Sequence, residues 1–162
     1  MQKAESKTVK VLNMTTLLLR LGLGLLLVWS SIGKIEASFG FLGNIYEYRL
    51  VGPLGGLVIA IVLPWLEMVT ALLLFADVMT DSAFIVVVLM GFIFLLAQIT
   101  SVLRGMDIPC GCFGSGPVEH VGYWTIIRAV AVILAGGTGY FIRRRIDTVR
   151  PDLTAAQYIT IG

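Results

Sequence analysis

The chain alternates long apolar runs with short polar gaps. Apolar residues fill most of positions 15–33, 54–76, 82–103 and 121–142, with charged residues gathered between and beyond them. A helix crossing about 30 Å of hydrocarbon needs roughly 20 mostly apolar residues. Each run meets that length, and none shows the polar face that an amphipathic soluble helix presents. The pattern predicts an all-α membrane protein, a bundle of four transmembrane helices. The expected organisation is a segment 1–14, a four-helix domain 15–142 and a tail 143–162.

The gaps refine this picture. The 77–81 gap is short, so spans two and three form an antiparallel hairpin. The gap after span one is about twenty residues and holds Lys34, Tyr46, Tyr48 and Arg49. Its Phe39-Gly40-Phe41 and its tyrosines suit a loop resting at the membrane interface. Pro64 lies inside span two and predicts a kink there. Arg20 interrupts the first run and no small-x-small cleavage site follows cleanly, so the run reads as an uncleaved span, not a signal peptide. Composition agrees: 57% of residues are hydrophobic and 14% charged, where soluble domains are nearer 45–50% and about 25%. A net charge of +2 gives no reason to expect a nucleic-acid partner.

Basic residues set the expected orientation. Lys3, Lys7, Lys10, Arg143, Arg144, Arg145 and Arg150 flank the N-terminal end of the first span and the C-terminal end of the last. Only Lys34, Arg49 and Arg104 lie in the two gaps on the opposite side. Basic flanks stay cytoplasmic, so both termini are expected in the cytoplasm of a multi-pass inner-membrane protein. The gap after span three then faces outward, where disulfides persist.

That gap contains Pro109-Cys110-Gly111-Cys112-Phe113-Gly114, the strongest chemical signal in the chain. Thiols at i and i+2 can join only across a sharp turn, which Gly111 permits. A bridge over so small a ring is strained, and strained exposed disulfides are the exchangeable ones. Cys110 and Cys112 are therefore candidate catalytic residues of a thiol–disulfide oxidoreductase. Two alternatives stay open: a permanent bridge bracing the loop, or a soft thiolate site for Cu(I) with Met106 or His120. Zinc lacks four good ligands here, and no other metal site is expected.

Ionisable residues inside spans are costly and mark function by default. Glu67, Arg20 and Arg128 are the candidates, as residues that could hold a cofactor. Arg20 lies about 8 Å and Glu67 about 15 Å from the inner end, so the two could pair across helices. Arg128 lies beneath the cysteine loop, where a cation favours thiolate. All three could equally serve helix packing alone. Gln98 reads as interhelical glue, Lys34 and Arg104 as snorkelling anchors, and Gly22 and Gly24 as points of close helix approach. Trp29, Trp65 and Trp124 could line a quinone pocket, although an interfacial belt explains Trp29 and Trp124 as well.

Several of these segments resemble a known family. Arg20-Leu-Gly-Leu-Gly through Gly33-Lys34 resembles the first span of DoxX-like membrane proteins, and Leu63-Pro64-Trp65-Leu66-Glu67 their second. Arg104-Gly105 followed by Cys110-Gly-Cys-Phe-Gly is similar to the MauE branch, the methylamine-utilisation membrane proteins. Trp124 through Arg128 is similar to the start of that branch's last span. The resemblance covers about residues 14–142. It implies a four-helix redox-associated membrane protein that works with a periplasmic thioredoxin-fold partner on a methylamine dehydrogenase-like protein. It also implies Cys110 and Cys112 as the redox pair, with Glu67, Arg20 and Arg128 as matching polar positions.

The combined expectation is an outer-face thiol–disulfide relay that, lacking a second cysteine pair, uses a quinone, uses a partner's cysteines or does not transfer electrons across the membrane. Its rivals are a non-enzymatic subunit that docks a soluble partner, and a small-solute carrier built on Glu67 and Arg20. The carrier lacks the internal repeat of known carriers.

Overall fold

The computed structural model describes residues 2–106 and 121–149. The apolar runs become helices because a backbone in hydrocarbon must satisfy its polar groups internally. Four are long and apolar enough to cross a membrane: α1 (Gln2–Glu36), α3 (Pro53–Ala76), α4 (Thr80–Leu103) and α5 (Tyr123–Val149). A fifth and shorter helix, α2 (Ser38–Glu47), lies between α1 and α3. Among the described residues there is no strand. The protein is all-α, as its hydropathy pattern predicts.

Two boundaries differ from expectation. Helix α1 starts at Gln2, well before the apolar run, and α5 runs past position 142 to Val149. Polar residues such as Lys, Glu and Gln are good helix formers and extend a helix beyond the hydrocarbon. The expected loop after span one contains helix α2, despite Gly40, Gly43 and Asn44. It is held by packing: Phe41 is buried, and the Tyr46 ring lies so close to Gly56 of α3 that a Cβ there would sit 2.5 Å from it. The Tyr46 hydroxyl also donates to the Pro53 carbonyl at 3.1 Å. Pro53 then opens α3 at a position where its missing N–H costs nothing.

Helix α3 continues unbroken through Pro64. It ends at Asp77, which adopts the left-handed region at φ 58°. Met79 does the same at φ 48° and starts α4. Two left-handed residues within three positions make the α3–α4 turn tight.

Packing is most extensive between α1 and α3 and between α4 and α5, with α1 against α5 and α3 against α4 completing a ring. Leu23, Leu27, Ala71, Leu74, Ala83, Phe84 and Val87 form the buried core. Small residues set the closest approaches, as expected where lipid supplies no hydrophobic drive. A Cβ on Gly139 of α5 would meet the Phe84 ring of α4 at 2.5 Å, and one on Gly24 would meet Phe75 at 2.7 Å. Gly22, by contrast, has open space beside it. Of the glycine pair in span one, only Gly24 allows close helix approach. Outside, the bundle presents Leu18, Ile93 and Phe141 at 64%, 68% and 70% exposure. Apolar surface on that scale suits a lipid environment, in line with four helices long and apolar enough to span one.

Candidate functional site

Polar side chains inside the bundle gather at two levels. The first is the α3–α4 turn. Arg20 is buried there, with Nε donating to the Leu74 carbonyl at 2.8 Å and Nη1 paired with Asp77 at 2.7 Å. Nη2 reaches the Phe75 carbonyl at 3.4 Å. Those carbonyls belong to the last turn of α3, where backbone acceptors lack helical partners and the helix dipole is negative. Arg143 of α5 joins Asp77 at 3.0 Å, and Thr80 donates to the same carboxylate at 2.8 Å. Burial works against the Asp77 carboxylate, but the Thr80 hydroxyl and the Arg143 and Arg20 guanidiniums outweigh it. They hold its pKa below the usual carboxylate range. The cluster ties α1, the turn and α5 together at one end.

The second level lies toward the opposite end. Lys34 and Glu67 form an ion pair with Nζ 2.7 Å from Oε1 and 2.9 Å from Oε2. Both are buried, Lys34 at 1% and Glu67 at 2% exposure. The ammonium also donates to the Ser30 hydroxyl. It lies 5.4 Å from the Phe94 ring centre and 5.6 Å from that of Phe41, within cation–π range. Two expectations are corrected by this geometry: Arg20 pairs with Asp77 and not with Glu67, and Lys34 is a buried partner and not an interfacial anchor. Arg104, the other expected anchor, is exposed.

One physical rule accounts for both corrections. The Cα–Cβ bonds of a helix tilt toward its N-terminus. Lys34 lies at the end of α1, so its side chain is aimed back into the bundle, one turn down to Ser30. Glu67 lies on α3, which runs the other way, so its carboxylate is aimed up toward Lys34. Arg20 tilts away from Glu67, toward the turn.

Beside the pair lies a cavity of about 90 Å³. Its polar lining includes Ser30, Lys34, Glu67, Gln98, Thr125 and Arg128, and its apolar lining includes Leu27, Met90 and Phe94. Thr125 is itself occupied, exchanging hydrogen bonds with the Gly122 backbone at 2.8 and 3.0 Å. Arg128 lines the cavity and is also exposed on α5, so the cavity reaches the bundle surface there. Gln98 is buried. Trp29, Trp65 and Trp124 are 63–74% exposed and face outward, away from the cavity lining.

The structure thus brings Glu67 and Arg128 into one cavity and leaves Arg20 at the other level. Cys110 and Cys112 lie outside the described residues. The connection that carries them leaves α4 at Leu103 and enters α5 at Tyr123. Lys34 and Ser30, spaced four apart on one helix face, were not singled out by sequence reasoning as site residues. The signal was present in that spacing and in the helix tilt.

A family model described as methylamine utilisation protein MauE matches residues 12–142. The chain belongs to the MauE family. A methylamine utilization protein MauE of Paracoccus denitrificans is 31% identical to it over 125 residues, covering 75% of this chain and 67% of the relative. No solved structure matches. Within this MauE-family bundle, the matched region contains the Lys34–Glu67 cluster, the cysteine segment and all of the Asp77 cluster except Arg143.

Proposed function

We propose that this MauE-family protein is a membrane thiol–disulfide relay of methylamine utilisation, in which Cys110 and Cys112 exchange with a periplasmic thioredoxin-fold protein. The final recipient of its redox equivalents is an extracytoplasmic, methylamine dehydrogenase-like protein. The observation that carries the reading is the cavity itself. Three ionisable side chains, Lys34, Glu67 and Arg128, line it, at the opposite level of the bundle from the Arg20–Asp77 cluster. Charges at that depth cost several kcal/mol unless paired, and membrane proteins retain them where function needs them.

The cavity lies on the side of the bundle to which Leu103 and Tyr123 deliver the cysteine-bearing connection. A guanidinium beside a cysteine favours the thiolate form that attacks a disulfide. The distribution of Lys and Arg supports an outward-facing cysteine segment in the inner membrane, which is where a soluble partner can reach it.

Trapping tests the relay. With Cys112→Ser, the remaining Cys110 should hold a mixed disulfide with the partner on a denaturing, non-reducing gel. Cys110→Ser should abolish that adduct and stop maturation. Normal maturation in Cys110→Ser overturns the relay. Redox titration separates the rival: a potential below about −300 mV marks a structural bridge and a docking subunit, a much higher one an exchanging bridge.

A further inference from the structure

We infer that the cavity beside Lys34 and Glu67 is a one-ended water vestibule. It holds ordered waters at Gln98 and Glu67 and is closed toward the Arg20–Asp77 level by the apolar core. The inference goes beyond the relay and uses none of its cysteines.

The unmet groups of the wall decide the occupant. Gln98 is 2% exposed, and its Oε1 accepts no hydrogen bond from the protein. Gln98 and Arg128 otherwise have interactions within the protein, so the demand of this wall is for a donor. Lys34 cannot supply one, since its three N–H groups are committed to Ser30 and to both Glu67 oxygens. Glu67 accepts those two and one more from Ser30, which leaves about one of the four acceptor sites of a carboxylate open.

Four classes of occupant can be weighed against that demand. An anion brings acceptors alone. A cation would meet a lining where two cations, Lys34 and Arg128, already outnumber one carboxylate. An acyl chain would suit Leu27, Met90 and Phe94 but leave Oε1 enclosed without a donor, at the full cost of its desolvation. Water is neutral and donates. Because it also accepts, it serves the Gln98 amide in either orientation.

Size and access agree. The cavity of about 90 Å³ is several times the roughly 10–15 Å³ that one water needs on the same measure. A wholly apolar cavity stays dry, but a water given about two to four polar partners is held. Gln98, Glu67 and neighbouring waters supply such partners. Arg128 is both exposed and part of the lining. It lies five residues into α5, about 7.5 Å from the helix start. Helical side chains lean toward the N-terminus, and arginine carries its charge to the interface along its apolar stem. The opening at Arg128 is thereby drawn toward the aqueous side. In the other direction Leu23, Leu27, Ala71, Leu74, Phe84 and Val87 belong to the buried core between the two polar levels. They form the floor.

Hydroxyl-radical footprinting by X-ray radiolysis tests the vestibule, on the full chain in nanodiscs with products read by mass spectrometry. Radicals form from water and oxidise methionines beside it, whereas lipid-covered side chains are spared. Met90 lines the cavity at 7% exposure, while Met68 is half-buried and outside the lining. Met90 should nevertheless oxidise faster than Met68. Gln98→Leu makes the wall apolar, and apolar cavities stay dry, so Met90 oxidation should fall about tenfold while Met68 keeps its rate. Should that variant fail to fold, the ratio of the two methionines in the wild type decides. Met90 oxidised no faster than Met68 overturns the inference, whether lipid or another ligand fills the space. Stopped-flow light scattering on proteoliposomes tests the floor. Osmotic water permeability should match that of protein-free vesicles, and a protein-dependent rise overturns the one-ended form.

Discussion

Removing one partner of the Lys34–Glu67 pair is the most demanding test of the structure. Lys34→Met keeps the length and apolar volume of the stem but leaves the Glu67 carboxylate enclosed, with two hydrogen bonds of 2.7 and 2.9 Å lost. Breaking a buried pair costs about 3–5 kcal/mol, because the surviving charge has no water to return to. An ordinary polar contact between membrane helices is worth about 0.6 kcal/mol. The two accounts, ion pair or packing contact, therefore differ about five- to eightfold. The double variant Lys34→Met with Glu67→Leu removes both charges. It should recover most of the loss, since well-packed apolar replacements of buried pairs are often neutral. Reversible unfolding in mixed detergent micelles, measured for wild type, both single variants and the double, gives the coupling energy directly. A coupling of about 2 kcal/mol or more is expected. A value under about 0.5 kcal/mol, within the ordinary error of additivity, refutes the buried ion pair.

Three further outcomes follow from the structure. Arg20→Lys keeps the charge but loses the planar fork that serves Asp77 and the Leu74 and Phe75 carbonyls together, so it should cost about 1–3 kcal/mol in the same unfolding assay; a neutral effect refutes the capping role. Asp77 has a folded pKa below its unfolded value, so its stabilising contribution is present at neutral pH. That contribution is lost as pH falls through the folded pKa. Asp77→Asn should accordingly flatten the acid limb of thermal stability below about pH 4, and an unchanged limb would count against the cluster. Gly139→Ala should destabilise by forcing the buried Phe84 ring aside, while Gly22→Ala, with open space, should stabilise by about 0.5–1 kcal/mol through helix propensity. Equal melting shifts for the two would contradict the helix packing.

The spans were legible because a hydrocarbon solvent leaves the backbone almost no alternative to helix. The α3–α4 hairpin followed from its short turn in the same way. Helix α2 was not legible, because Gly40, Gly43 and Asn44 weaken local helix preference and the segment is held by tertiary contacts at Phe41 and Gly56. In the site, Glu67 and Arg128 announced themselves as charges within apolar runs. Lys34 did not, because its position at the end of a span suggests snorkelling. Depth along the axis alone places Arg20 within reach of Glu67. With the N-terminal tilt of side chains included, Lys34 becomes the partner of Glu67 and Arg20 the partner of the turn. The cavity was beyond sequence reading, since it depends on which helices touch. Among the described residues the α1 backbone approaches α3 and α5 closely, while α1 and α4 face each other across the bundle and meet through side chains such as Lys34 and Phe94.

The two polar clusters have a mechanical consequence for the bilayer. Arg20 and Lys34 are fourteen residues apart on α1, about 21 Å along its axis, and each fastens to α3. A slide of α1 along α3 by one turn would break both fastenings at once. In a membrane thicker or thinner than the protein's own apolar height, the pair must therefore lean as a single rigid plank, or the lipid must deform around it. Reconstitution into lipids of graded chain length should then change helix inclination while leaving the α1–α3 spacing between these levels constant.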